Sequence, residues 1–495
     1  MENPKWKTPA SNAGEEFEMI AKTFQGLETV LATELIDLGA NNIQIGRRMV
    51  SFTGNKELLY RANFQLRTAI RILMPIKHFR ATSADEVYEA VQQIDWTNYL
   101  TNETTFAVDS VVFSQEFRHS KFVAYKVKDA IVDQMRERTG ERPNIRVTNP
   151  DLQLHIHIAE YECTLSLDTS GESLHRRGYR QETVEAPLNE VLAAGIIMLT
   201  GWKGECDLID PMCGSGTIAI EAALIARGIA PGVDRKEYAF EKWPAFDQEL
   251  FDSIYEDESR EHEFEHHIYG YDINHNAVAI ATTNVKAAGL SKEITIQQQD
   301  FADFKQPAEK AIIITNPPYG ERISAPDLLG LYKMIGSKFK HDFTGNDAWV
   351  LSYREECFDQ IGLKPSLRTP LYNGSLECEL RKYQMFSGKF NEMRAGGGDI
   401  KTAQERRMMA DRKRFKQHRD FKERLEDDPR ERFTRKKDRE DYRRDSKRGD
   451  FRKESRGERK EFRGDARKDF RSDRKPFDKN KPVKKYGKKR YDDED

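Results

Sequence analysis

The sequence predicts an α/β protein. Its largest part should be a Rossmann-like, doubly wound, mostly parallel sheet, preceded by smaller α+β modules and followed by a disordered tail. Three observations carry that expectation. From about residue 185 to residue 386, short apolar runs alternate with amphipathic segments, the pattern of strands covered by helices on both faces. Before them, two-residue alternation is mixed with helical spacing, and beyond Gly388 apolar periodicity stops. A chain of 495 residues is also too long for one ordinary core.

Residues 1–16 read as a polar leader. The module at 17–70 opens with FQGLETVLATELIDLGA, in which Leu27, Val30, Leu31, Leu35 and Leu38 follow helical spacing and Gly39 sits where the helix should end. Strand-like IQIGRRMVSFTG and helical KELLYRANFQLRTAI follow. Residues 71–170 form a second α+β module, where Val123, Val127, Ile131 and Met135 share one helical face. In LQLHIHIA, Leu152, Leu154, Ile156 and Ile158 point one way, which places His155 and His157 on the solvent side of a strand. Residues 171–387 carry the doubly wound pattern. Residues 388–495 are Arg, Lys, Asp and Glu punctuated by single aromatics, a composition that cannot bury enough apolar area to offset its ordering entropy.

Charge separates the same parts. The formal net charge of −2 conceals 38 basic against 24 acidic residues in 401–495, which leaves 43 against 59 in 1–400. An acidic body must meet nucleic acid through local patches, while the tail is the more obvious polyanion ligand. The five cysteines contain no C-x-x-C pair, so neither a disulfide framework nor a cysteine zinc site is expected. The start lacks the apolar core of a signal peptide, and Val191 to Trp202 is too short to span a bilayer. A soluble, cytoplasmic protein is the expectation.

Three strand ends carry chemistry. Asp210-Pro-Met-Cys-Gly-Ser-Gly-Thr217 lies between an apolar strand and a helix. Its glycines, Gly214 and Gly216, permit a tight turn and close approach of a ligand, with Met212, Cys213 and Thr217 beside them. It lacks the Lys of a phosphate loop and the third glycine of a dinucleotide fingerprint, and its opening acid suits a cationic amino-acid moiety. After the next strand, Asp272 can accept ribose hydroxyls, with Ile273 beside it. Asp300, followed by Phe301, offers a third acceptor near a base. The most informative motif is Asn316-Pro-Pro-Tyr-Gly-Glu-Arg322 after the strand Ala311–Thr315. A ring-bound amine is a poor nucleophile because its lone pair is delocalised. The Asn316 amide oxygen and the Pro317 carbonyl can accept its two hydrogens and free that pair for an in-line methyl donor. Pro317 and Pro318 fix the carbonyl's direction, and Tyr319 can stack on a base drawn out of its helix.

DPMCGSGT together with NPPYGER resembles the class I methyltransferases of the THUMP-domain type, in particular the large-subunit ribosomal RNA guanine-N2 methyltransferases. The resemblance covers residues 17–386 and includes His175-Arg-Arg-Gly-Tyr-Arg180 ahead of the catalytic domain. It implies a ferredoxin-like module, a THUMP RNA-binding domain and a methyltransferase domain. S-Adenosyl-L-methionine would sit at Asp210, Gly214, Gly216, Asp272 and Asp300, and the target amine at Asn316 to Tyr319. The partner it implies is RNA, 23S ribosomal RNA or a large-subunit precursor. The family's longest members carry a second methyltransferase where this sequence has its basic tail, so dual activity is not expected.

Arg118, Lys121, Lys126, Lys128, Arg176, Arg177 and Arg180 are candidate phosphate contacts around the THUMP helix and the domain junction. His262-Glu-Phe-Glu-His266 satisfies the zinc-protease pattern H-E-x-x-H, but it lies in a charged stretch with no clear third ligand, so no metal is expected. Three rival readings stay open: the same chemistry on tRNA, adenine-N6 methylation of DNA, and a noncatalytic RNA-binding assembly factor.

Overall fold

A computed structural model describes residues 14–117, 119–306, 310–320 and 325–386. The tail expected at 388–495 and the candidate Arg118 lie outside the described residues.

The first sheet is built from β1 (Phe17–Lys22), β2 (Asn41–Gly46), β3 (Met49–Gly54), β4 (Arg71–Arg80), β5 (Thr105–Phe113), β6 (Asn144–Ile145), β7 (Leu152–Ala159) and β8 (Glu162–Asp168). Their order is β2-β3-β1-β4-β8-β7-β5-β6. Strand β4 pairs antiparallel with β1 on one side and β8 on the other. The two modules read from the sequence therefore share one continuous sheet. Helices α1 (Glu28–Asp37), α2 (Lys56–Gln65), α3 (Ala84–Gln92) and α4 (Ser120–Thr139) send their apolar stripes into one core with the alternating residues of these strands. Leu31 and Leu35, Val87 and Val91, and Val123, Val127, Ile131 and Met135 all belong to it.

One sequence expectation fails here. His155 is buried, and burial first, then the charges of Lys22 and Arg71, push its pKa down to about 3. Strand β7 is an inner strand, and Gln153 and Ser166, which pairs with His155, are buried on the same face. His157 is half-buried. Alternation shows which residues share a face of a strand; it does not show that the second face is open to water.

The second sheet contains β9 (Asp207–Asp210), β10 (Ile268–Asp272), β11 (Ile294–Gln298), β12 (Ala311–Thr315), β13 (Asp347–Ser352), β14 (Leu367–Asn373) and β15 (Leu376–Gln384). Its order is β11-β10-β9-β12-β13-β15-β14, with the first five strands parallel and the β14–β15 hairpin antiparallel. The expected doubly wound architecture is present. The helices of this part of the chain are α5 (Glu190–Thr200), α6 (Thr217–Ala226), α7 (Gln248–Tyr255), α8 (His275–Ala287), α9 (Ala325–Asp342) and α10 (Glu355–Ile361), of which α7 packs on α2 in the first core. Strand order reverses between β9 and β12, which opens a crevice at their carboxyl ends.

The acidic insertion between α6 and β10 fastens the two sheets to one another. Tyr238, Phe240, Trp243 and Phe251 enter the first core, and the Phe240 ring stacks on Tyr60 of α2 at 4.5 Å. Residues 261–265 are neither helix nor strand. His262 Nδ1 bonds Arg260 O, while His266 Nδ1 faces Asp207 at 3.5 Å. The pair is thus not held one helical turn apart, as a zinc-protease site requires.

Candidate active site

Asp210, Asp272 and Asn316 end or follow three adjacent parallel strands, so the register of the sheet brings them to one edge. Gly216 caps α6 with φ of 81°, and a Cβ there would stand 3.3 Å from the Ala281 methyl carbon of α8. A side chain would be strained and crowded, which is why the turn needs glycine. The loop is tied from several directions. Gly214 N donates to Asp272 Oδ2 at 3.0 Å, Cys213 N to Tyr271 O at 2.8 Å, and Met212 N to Asp210 Oδ1 at 3.3 Å. Asn284 of α8 donates to Ser215 O at 3.1 Å and accepts from Gln181 N at 2.9 Å.

The electrostatics of this edge are unusual. Asp210 is 1% exposed, and its pKa is pushed up to about 8 by burial first and then by the charge of Asp272. Two carboxyls at one strand edge, one of them deeply buried, fit a positively charged ligand better than a phosphate. Asp272 is half-buried, Asp300 is exposed and Ile273 is 64% exposed, so acceptors and an apolar surface stand together beside the glycine loop. This donor set suits S-adenosylmethionine. Asp210 would face its cationic groups, Asp272 the ribose and Ile273 the adenine. When bound, the cofactor supplies an activated methyl group. The Cys213 thiol is buried, and that burial raises it well above its usual range and so holds it as a neutral thiol.

Not every candidate faces the crevice. The Phe301 ring belongs to the second sheet's core with Phe304, Phe339 and Phe343, so only its main chain remains for a ligand. Thr217 Oγ1 and Ser215 Oγ both accept from Arg180, at 2.9 and 2.8 Å. Arg180 also pairs with Glu190 at 2.7 Å. Its guanidinium is thus engaged by the glycine loop and by Glu190, which gives this candidate phosphate contact a bracing position in the structure. Arg177 departs from the sequence expectation: it is buried, paired with the fully buried Glu221 at 3.3 Å, and donates to Leu174 O and Arg67 O. Arg176 is exposed beside Glu172 at 3.1 Å. Lys126 pairs with Asp85 at 2.6 Å and Lys128 with Asp129 at 2.6 Å, whereas Lys121 is exposed.

At the amine end, Asn316 follows β12 directly and is half-buried. The Tyr319 hydroxyl donates to Asn316 Oδ1 and lies beside Asn373 and the Cys378 thiol of the β14–β15 hairpin. Its ring meets Tyr353 edge-on, with centroids 5.3 Å apart, and the Arg354 guanidinium lies over Tyr353 at 5.4 Å. Sequence reasoning missed Asn284, Tyr353, Arg354, Asn373 and Cys378. Only Tyr353 and Arg354 carried a usable signal, the carboxyl end of a parallel strand.

Comparison with known proteins agrees with this geometry. Residues 18–73 match the RlmL ferredoxin-like domain, 81–168 the THUMP domain and 177–382 the RMKL-like methyltransferase domain. A putative RNA methyltransferase of Synechocystis is 38% identical over 369 residues, covering 74% of this chain and 96% of that protein. Ribosomal RNA large subunit methyltransferase K/L of Syntrophotalea carbinolica is 39% identical over 380 residues, which is 74% of this chain but 53% of that relative. The chain thus spans about half the length of the K/L relatives. Among solved structures, a putative methyltransferase complexed with SAH aligns with a TM-score of 0.68 at 30% identity, covering 76% of this chain and 99% of that one. The chain belongs to the RMKL-like methyltransferases that carry ferredoxin-like and THUMP domains ahead of an S-adenosylmethionine-dependent catalytic domain.

Proposed function

We propose that the chain methylates the exocyclic N2 amine of a guanine in RNA, in the cytoplasm, with 23S ribosomal RNA as the substrate. The observation that carries this reading is the placement of Asn316-Pro317-Pro318-Tyr319 across the β9–β12 crevice from the glycine loop. Asn316 Oδ1 and the Pro317 carbonyl accept the two amine hydrogens and leave the nitrogen lone pair directed towards the methyl group. The proline rings hold the carbonyl so that little reorganisation accompanies attack. Tyr319, Tyr353 and Arg354 form an aromatic and cationic corner on which an extruded base can stack. The Asp272 carboxylate, and Asp210 once the ligand's charge draws off its proton, favour the cationic donor over its neutral product.

The relatives named K/L act on large-subunit ribosomal RNA, and the THUMP match at 81–168 supports RNA over DNA. The direct test is mass spectrometry of nucleosides from ribosomal RNA, transfer RNA and DNA of cells with and without this gene. Loss of N2-methylguanosine from 23S rRNA is the expected result. Loss confined to transfer RNA, or of N6-methyladenine from DNA, would replace this reading with one of its rivals.

A further inference from the structure

Among the candidate RNA contacts on the helices and at the domain junction, Arg177 is buried and Arg176, Lys126, Lys128 and Arg180 face carboxylates, whereas a second cationic surface stands nearer the amine end of the site. The β2–β3 turn of the ferredoxin-like module carries Arg47 and Arg48, both exposed. Neither side chain enters an ion pair among the described residues. Lys22, on the neighbouring strand, feels the Arg48 charge, so three cations gather in a body that is otherwise acidic.

This turn stands beside the amine end of the site through a chain of fixed contacts. Arg48 has φ of 58°. Its N–H donates to Glu28 Oε1 at 2.9 Å, and its carbonyl accepts from Thr23 N at 3.0 Å. Glu28 also accepts from Gly26 N at 2.7 Å. Gly26, with φ of 98°, lies so close to β14 that a Cβ would stand 2.6 Å from Pro370 O. Three residues on, Asn373 touches Tyr319. Arg47 itself lies near enough to Tyr372 for its charge to act on that phenol, which also bonds Glu377. The Glu28 carboxylate and the close approach of Gly26 to Pro370 thus set the arginine turn beside the hairpin that seats the N-P-P-Y loop.

We propose that the Arg47–Arg48 turn binds the phosphate backbone of the substrate next to the nucleotide placed at Asn316. The inference rests on the RNA-methylating function proposed above. Arginine forks match phosphate oxygens in pairs, and a rigid turn holds them without ordering a loop on binding. The ferredoxin-like module then takes part in presenting the base.

The test compares the full-length wild-type chain with an Arg47→Gln, Arg48→Asn double variant, on transcribed 23S rRNA. Asn tolerates the left-handed conformation at position 48, and the cofactor's affinity reports that the catalytic domain is intact. The expected result is a KM for RNA raised about tenfold, with kcat and cofactor affinity unchanged. The slope of log affinity against log salt should fall by about 1.4 to 1.8, two phosphate contacts' worth. An Arg47→Lys, Arg48→Lys variant should recover most of the slope. A double variant with wild-type KM and salt slope overturns the inference while leaving the proposed function standing. A wild-type chain that methylates no RNA overturns the function instead. The salt slope of RNA binding, measured by fluorescence anisotropy, then judges the turn by itself.

Discussion

The two ends of the crevice are built by different means. The cofactor end is fastened by main-chain hydrogen bonds and buried charge: Asp272 on Gly214 N, Asn284 on Ser215 O, and Arg180 on Ser215 and Thr217. The amine end is assembled from side chains that follow β12 and β13, with the Tyr319 hydroxyl on Asn316, Tyr353 against Tyr319, and the β14–β15 hairpin beside them. A cofactor that is the same in every turnover suits a site fixed in advance. A base that must be drawn out of its helix needs surfaces it can displace or stack on. Substitutions at the first end should therefore cost stability or cofactor affinity, and removal of the amine acceptor at the second should change turnover.

The largest effect should come from behind the cofactor end. Arg177→Ala removes the ion pair of the buried Glu221, which then keeps, among the described residues, the Tyr179 hydroxyl at 3.0 Å as a hydrogen-bond partner and the charge of Arg67 nearby. Stability should fall by about 3–5 kcal/mol. Arg176→Ala, one residue away and exposed, should stay within about 0.5 kcal/mol. Urea unfolding of both variants checks the contrast, and equal losses would mean that burial is not what separates the two arginines.

Asn316→Ala tests the other end. It should lower kcat by about 10²–10³, or ~2.7–4 kcal/mol, while calorimetry finds cofactor affinity unchanged. Wild-type single-turnover rates in this variant would remove Asn316 from the chemistry. Asp272→Ala should do the reverse. Its carboxylate is the proposed ribose acceptor, and losing a charged partner is worth ~1.5–3 kcal/mol, roughly ten- to hundredfold in affinity. Glu221 cannot take over that role, because Arg177 and Tyr179 occupy it in the interior.

Much of this was legible in the sequence. The glycine loop, the acids after β9 and β10 and the N-P-P-Y motif each follow an apolar strand within a few residues, and the parallel sheet converts that sequence rule into proximity. The junction was not legible. In HRRGYR, Arg176, Arg177 and Arg180 look alike, yet only tertiary packing decides that Arg177 meets Glu221 and Arg180 meets Glu190. The shared β4 was hidden as well, since strand pairing beyond the hairpin carries no local signal. His155 failed for a related reason, because its strand is paired on both edges and the face it shares with Gln153 is covered as well.

Asp210 adds a pH dependence to the cofactor end. Its native pKa is raised from 3.8 to about 8, so in this window the native state holds a proton that the unfolded chain has released. Its contribution to stability is therefore full below pH ~4 and falls as pH rises towards 8. Asp210→Asn cannot ionise. The variant should gain on the wild type in melting temperature between pH ~5 and 8, with the difference level above that range. A difference independent of pH would show that Asp210 is ionised in the free protein.

The smallest effect should be the most informative about the amine end. The Tyr319 hydroxyl occupies Asn316 Oδ1, the oxygen that the target amine needs. Burial raises that phenol well above its usual pKa, so it remains a donor and competes with the base at any working pH. Tyr319→Phe keeps the ring for stacking and removes the competitor. It should lower stability by about 0.5–1.5 kcal/mol, the net worth of one hydrogen bond. KM for RNA should stay level or fall slightly, because the base no longer has to displace a hydroxyl, and kcat should be retained. A Tyr319→Phe enzyme as slow as Asn316→Ala would mean that the hydroxyl positions the amide during methyl transfer. The amine end would then be as firmly fixed in advance as the cofactor end, and the contrast between them would disappear.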